Sequence, residues 1–324
     1  MKRSKLWAAA LVIFGSSVSA GAADVKSYPD RPVRMIVPNA PGSSVDTLSR
    51  IMAARLSEVL GQQIVTDNRP GAGGIIGMEI AKQATPDGYT MIAATTAAST
   101  IAVQLQKKPT FDAVKDYDYV AQFAETPNIL VVTPSLPVTS VKALIDYCKS
   151  KNGEVNMASA GSGSQSHLSG SYFLQAGHFK SVHVPYKGGG ASVASVMAGE
   201  SQWTLTPAPA VMSLIKSGRL RALGHSLPKR SALLGDIPPI AETIPGFDYS
   251  GWQGFFVPKG TPKAVVDKLR AAVIKTANLP EVKKLLAAQA TEVVIRGPAE
   301  FRKVVEESKA KNAAVIKAVG LKVD

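Results

Sequence analysis

The chain has 324 residues, 45% hydrophobic and 19% charged, which excludes a disordered main state because so apolar a chain offsets its ordering entropy by burial. Lysine and arginine number 37 against 24 acids, a formal charge of +13. These cations are spread along the chain without a dense basic block or interleaved aromatics, which argues against nucleic acid as a partner. Lys2, Arg3 and Lys5 lead an apolar run from Leu6 to Phe14, and Gly15 to Ala23 then offers small residues for cleavage. That is the layout of a secretory signal peptide over 1–23, too short to span a bilayer. No Cys stands at the cleavage region to take a lipid anchor, and the single thiol, Cys148, cannot close an internal disulfide. An exported, periplasmic monomer held together by its core is the expectation.

After the leader, short β-branched runs alternate with helical patterns. Val33–Val37 reads as a strand ending at Pro38, and Asp46–Leu60 as an amphipathic helix closed by Gly61. Gln63–Thr66 is a second strand, Gly74–Ala84 a second helix, and Thr90–Ala94 a third strand after the Pro86-Asp87-Gly88 turn. Strands alternating with helices predict a parallel α/β sheet, since parallel strands need a crossover. The pattern restarts with strands at Ile129–Val132, Val155–Ala158, Val182–Val184, Trp203–Leu205 and Leu220–Leu223. Helices are expected at Val141–Cys148, Ser166–Ala176, Ala191–Ala198 and Ala208–Ser217. Pro262 and Pro298 then stand at the first helical position of two C-terminal helices. Two α/β units with a helical tail are predicted.

Two strand-to-helix loops carry chemistry. Pro38 to Asp46 combines a permissive Gly42, the hydroxyls of Ser43 and Ser44, and an acid at the helix start. Free N–H groups at such a start bear partial positive charge and suit a carboxylate. A plain turn capped by Ser44 or Asp46 is the simpler alternative. The second loop, Ser159 to His167, has two glycines for close backbone approach and several serines as donors. Both loops fall at strand carboxyl ends, where α/β sheets bind ligands.

Other motifs fail on spacing. Asn68 to Gly77 lacks the third Gly of G-x-G-x-x-G, because position 76 is Ile, and reads better as a helix–sheet packing turn. Gly224-His225-Ser226-Leu227-Pro228 misses the final Gly of G-x-S-x-G. His167, His178, His183 and His225 show no metal-ligand spacing, so neither a metal nor a cofactor is expected. Trp203 and Trp252 fit the core better than an aromatic wall.

Together these stretches resemble the Bug family, the extracytoplasmic solute receptors of tripartite tricarboxylate transporters. The resemblance rests on an ordered set: Tyr28-Pro29-Asp30-Arg31-Pro32-Val33, Pro41-Gly42 with Asp46, Asn68 to Gly74, and Pro86 to Thr90. It continues through Gly161, Gly163-Ser164, His167-Leu168, His183 to Gly188, Gly218 to Leu223, Trp252 and Pro258 to Pro262. It implies a two-lobed α/β periplasmic-binding-protein fold of the Venus-flytrap kind with two interlobe crossovers. Lobe one would be 24–126 plus 251–324 and lobe two 127–250. The implied ligand-binding residues are Ser43, Ser44 and Asp46 in the first loop and Thr95 and Thr96 after the third strand. From the second lobe come Ser159, Gly161, Ser162, Ser164, His167, Thr206 and Ala208.

Departures from the family pattern bear on the ligand. Ser43 replaces a second Gly and adds a hydroxyl donor without adding charge, while Ser171 stands for a Glu and Leu205-Thr206 for an acidic or Phe-Asp pair, and an absent acid reduces repulsion of an anion. The expected function is a receptor, not an enzyme, that captures a di- or tricarboxylate or an aromatic diacid such as terephthalate and delivers it to membrane transporter subunits. The rivals are an exported serine hydrolase using Ser164 or Ser226, and a receptor that signals rather than imports.

Overall fold

The structure, a computed structural model, describes residues 27–321, and the expected signal peptide lies outside them. β1 (Val33–Val37) is followed by α1 (Ser44–Leu60), whose Leu48, Met52 and Leu56 recur at four-residue steps and are buried. β2 (Ile64–Asn68) leads through a tight turn at Ala72–Gly74 into α2 (Ile75–Lys82). β3 (Thr90–Thr95) runs into a π-helical turn, Ala97–Ile101. β4 (Tyr117–Thr126) then passes almost without a break into β5 (Asn128–Val132).

The middle of the chain gives α3 (Val141–Ser150), β6 (Asn156–Ser159), α4 (Gln165–Ala176), β7 (Val182–Pro185) and α5 (Gly189–Ala198). β8 (Trp203–Pro207), α6 (Met212–Lys216) and β9 (Arg221–His225) follow. The chain returns as β10 (Gly251–Pro258), then α7 (Lys263–Asn278), α8 (Pro280–Ala288), β11 (Glu292–Arg296) and α9 (Pro298–Ala318).

The strands form two sheets, ordered β11-β4-β10-β3-β1-β2 and β7-β6-β8-β5-β9. Each has helices on both faces. In the first sheet, Leu48, Met52, Val265 and Leu286 cover one face, and Met78, Phe301 and Val305 the other. Leu144, Leu168, Phe173 and Trp203 build the core of the second sheet, with Val193, Val196 and Met212 on its far side. The chain crosses between sheets twice, at Thr126–Asn128 and again on entering β10. These crossovers are tied together: Asn128 Nδ2 donates to the Tyr249 carbonyl at 2.6 Å, and the Asn128 amide donates to Ser226 Oγ at 2.9 Å. α9 braces both sheets, with Phe301 in the first core and Val315 in the second. Tyr249 Oη donates to Asn312 Oδ1 at 2.6 Å, and Asn312 Nδ2 donates to Thr100 Oγ1 at 2.8 Å.

The all-parallel expectation holds only in part. β1 pairs in parallel with β2 and β3, and β6 with β7 and β8, but β10 runs antiparallel to β3 and β4, and β5 antiparallel to β8 and β9. Strands that arrive by a crossover enter from the opposite end of the sheet, so no helical connection constrains their direction. The tail is not purely helical, because β11 closes the edge of the first sheet. Pro262 caps α7 from outside, whereas Pro298 does open α9.

The Asn68–Gly77 stretch is the packing turn its spacing suggested. A Cβ on Gly77 would lie 2.8 Å from the Pro38 backbone and 3.1 Å from the Arg69 carbonyl, inside contact distance. Gly77→Ala is therefore expected to lower stability by about 1–3 kcal/mol in chemical denaturation. Gly190→Ala, whose methyl meets nothing within 4 Å, should leave stability unchanged or slightly raised.

Candidate functional site

The first loop is fixed from behind. Ser43 is the N-cap of α1, its Oγ accepting from the Asp46 amide at 3.3 Å, so the cap is neither Ser44 nor Asp46. Asp46 reaches back and accepts from the Gly42 amide and Asn68 Nδ2, each at 2.9 Å, and from Arg50 Nε at 3.0 Å. This is a reciprocal cap. Burial pushes the Asp46 carboxyl up, but hydrogen bonds from Arg50, Gly42 and Asn68 outweigh it and hold the group below the ordinary carboxylate range.

The second loop is held by hydroxyls and imidazoles. Ser164 caps α4, accepting from the His167 amide at 3.2 Å, while Ser166 Oγ accepts from the Ala160 amide at 2.9 Å. Ser159 Oγ accepts from the Gly161 amide at 3.2 Å and bonds His183 Nε2 at 2.6 Å. His167 Nδ1 accepts from the Gly163 amide at 3.2 Å, which requires a neutral ring at that nitrogen. The His167 and His183 rings stack with centroids 4.0 Å apart. Burial, then the neighbouring His183, pushes His167 down to about 4, and burial lowers His183 as well.

Between the sheets lies a cavity of about 580 Å³, within the range of roughly 300–1,000 Å³ common for small-molecule sites. The starts of α1, α4 and α5 all open on it, through Ser43 to Val45, Ser164 to Ser166 and Gly188-Gly189. A helix cannot satisfy the amides of its own first turn, and each start carries roughly half a positive charge. Hydroxyls add donors: Thr95 Oγ1 accepts from the Ala98 amide at 3.2 Å and Thr96 Oγ1 from the Trp252 amide at 2.9 Å. With an oxygen lone pair already used, each hydroxyl proton is left for a guest. Lys187, exposed at the rim, is the single charged side chain on the wall among the described residues.

Of the residues expected from sequence, Ser43, Ser44, Thr95, Thr96, Gly161, Ser162, Ser164 and Thr206 lie on the cavity wall. Asp46, Ser159, His167 and Ala208 do not. The first three hold the loops as described, and Ala208 belongs to the second core, its amide donating to the Pro127 carbonyl at 2.9 Å. Sequence reasoning missed Gln165, Gln253, Thr126 and the Pro70 to Gly74 turn, all on the wall. Trp252 is both core and wall: it packs edge-on against Phe301 and donates from Nε1 to Ser308 Oγ at 2.9 Å. Trp203 is core, fully buried against Phe173 and Phe179.

The loops from the two sheets touch across the cavity. A Cβ on Gly73, a residue at φ +68, would lie 3.4 Å from the Gly163 carbonyl, and one on Gly188 would lie 3.3 Å from Ala40 Cβ. No described helix is long and apolar enough to cross a membrane, and no described cluster of His, Cys, Asp and Glu is arranged to hold a metal.

Two three-layer units joined by paired crossovers, with a donor-rich cavity between them, define a two-lobed α/β solute-binding protein. Residues 48–321 match the family described as "Tripartite tricarboxylate transporter family receptor". The chain belongs to that family, which also includes the Bug proteins. It is 33% identical to protein BugT of Bordetella pertussis over 99% of both chains. Among solved structures, one described as a periplasmic transporter is 36% identical, with a TM-score of 0.88 over 92% of this chain and all of that one. An R. palustris protein solved with adipate is 32% identical, with a TM-score of 0.88 over 91% of this chain and 99% of that one. MatC of Rhodopseudomonas palustris, with bound malate, is 28% identical, with a TM-score of 0.84 over 89% of this chain and all of that one.

The buried histidines set an acid limit. An unfolded histidine takes its proton near 6.5, whereas native His167 resists until about 4, as does His225, which is lowered by burial and by Arg230. Between those values the unfolded state binds more protons, so stability falls as pH drops from about 6.5 towards 4. Denaturant midpoints measured across that range should show the fall, and His167→Gln should flatten part of it.

Proposed function

We propose that this chain is a periplasmic receptor that captures an organic carboxylate between its lobes and delivers it to a tripartite tricarboxylate-type transporter. One observation carries the reading: three helix starts and a set of hydroxyl donors open on one cavity whose wall, among the described residues, carries a single charged side chain, Lys187 at the rim. Carboxylate oxygens accept from such amides without needing a buried cation. Pro38, Val45, Ala97, Pro207 and Trp252 supply apolar wall for the hydrocarbon or ring between polar ends. Adipate and malate in the two relatives support a dicarboxylate, and the proposed class extends to tricarboxylates and to aromatic diacids such as terephthalate.

Binding works by lobe closure. Lobe one (24–126 plus 251–324) and lobe two (127–250) swing about the paired crossovers and α9, whose end packs in the second core, and a ligand that touches both loops favours the closed form. Only its higher affinity for the closed form drives that shift. Several arrangements count against a hydrolase. Ser164 Oγ caps a helix, and His167 Nδ1 is committed to the Gly163 amide. Ser226 is buried off the cavity wall, accepting from the Asn128 amide.

Calorimetric titration with adipate, malate, citrate and terephthalate should find saturable binding and a raised melting temperature without product. A ligand at 100 times its Kd adds about 2.7 kcal/mol of stability. Turnover that is lost in Ser226→Ala would instead establish the hydrolase. Deleting the gene should abolish uptake of the bound acid, whereas loss of induced transcription with uptake intact would establish a sensor.

A further inference from the structure

Gln165 is the first residue of α4 and lies on the cavity wall, yet it is only 8% exposed. Neither Nε2 nor Oε1 of its side chain has a partner among the described residues. A buried amide left in that state is costly, and a ligand that completes it gains correspondingly. The amide reaches across to the first sheet: a methyl placed on Gly251 would stand 3.6 Å from Gln165 Nε2 and 3.6 Å from Thr96 Oγ1. The unpaired amide thus sits where the two lobes meet, on the same cavity wall as the donor-rich start of α1.

A carboxylate only accepts. It would pair with the Nε2 protons and leave Oε1 facing negative charge. A hydroxyl satisfies one side of the amide at a time. A primary carboxamide offers a donor and an acceptor in one plane, and so meets both atoms in a two-bond pair.

We infer that Gln165 selects ligands that carry a carboxylate at one end and a neutral carboxamide at the other, so that half-amides bind better than the matching diacids. This rests on the carboxylate-receptor reading and narrows it.

The test is calorimetric titration of the purified chain with two matched pairs, adipate against 5-carbamoylpentanoate and terephthalate against 4-carbamoylbenzoate. Each half-amide should bind on the order of tenfold tighter than its diacid. Gln165→Leu should bring that ratio to about one, with circular dichroism confirming the fold. Gly251→Ala puts its methyl at ordinary contact distance from the amide, so it should weaken half-amide binding while leaving the unliganded melting temperature close to that of the parent. Diacids bound as tightly as half-amides, a ratio that survives Gln165→Leu, or unchanged half-amide affinity in Gly251→Ala would each overturn the assignment with the carboxylate reading intact. Binding of no member of either pair would overturn the half-amide assignment, and failure of malate and citrate as well would overturn the carboxylate reading.

Discussion

An α-helix cannot bond the amides of its own first turn, and in this protein three such starts, those of α1, α4 and α5, face one cavity. Everything else in the site follows from that constraint. Fixed amides cost no rotamer entropy to aim, and their partial charges do not demand a counter-ion when the cavity is empty. An arginine in the same place would have to be desolvated on closure and left unmatched without ligand. A nearly uncharged wall is therefore the less costly way for such a cavity to hold the proposed anion.

Amides can serve as donors only if the turns that carry them keep their shape, and the two lobes solve this differently. Behind the first turn, Asp46 gathers Gly42, Asn68 and Arg50 into one network. Behind the second, stacked imidazoles anchor Gly163 directly and Gly161 through Ser159. The two supports differ in acid response, because a depressed carboxylate stays charged to lower pH while a neutral imidazole must resist protonation from a higher one. Long-range alignment of the turns falls to the crossovers and to α9, whose Asn312 joins Tyr249 of one lobe boundary to Thr100 beside the β3 turn.

Periodicity made β1, α1 and the α/β alternation legible, and spacing identified the Asn68–Gly77 turn as packing, which the approach of Gly77 to Pro38 bears out. β4, β10 and β11 were not legible. β4 and β10 are buried on both faces, so no alternation marks them, and β11 is a short edge strand. At the site, pattern reasoning finds the loops but not which way each side chain points. Asp46, Ser159 and His167 have the chemistry of ligand contacts and are used instead as supports. Gln165 is the opposite case: a glutamine at a helix start is ordinarily solvated, and only the approach of the other lobe makes it buried and unpaired.

The chain's positive charge fits the same division of roles. Many acids are already paired, Asp67 with both Arg34 and Arg69 and Asp112 with Lys309, so the excess of cations is left on the outer surface. Such a field acts over a Debye length and gathers anions of any kind without distinguishing them. Discrimination belongs to the interior, where water is excluded and a single unmatched donor or acceptor changes affinity more than a distant charge does. Lys187 stands at the boundary between the two regimes, on the wall yet exposed.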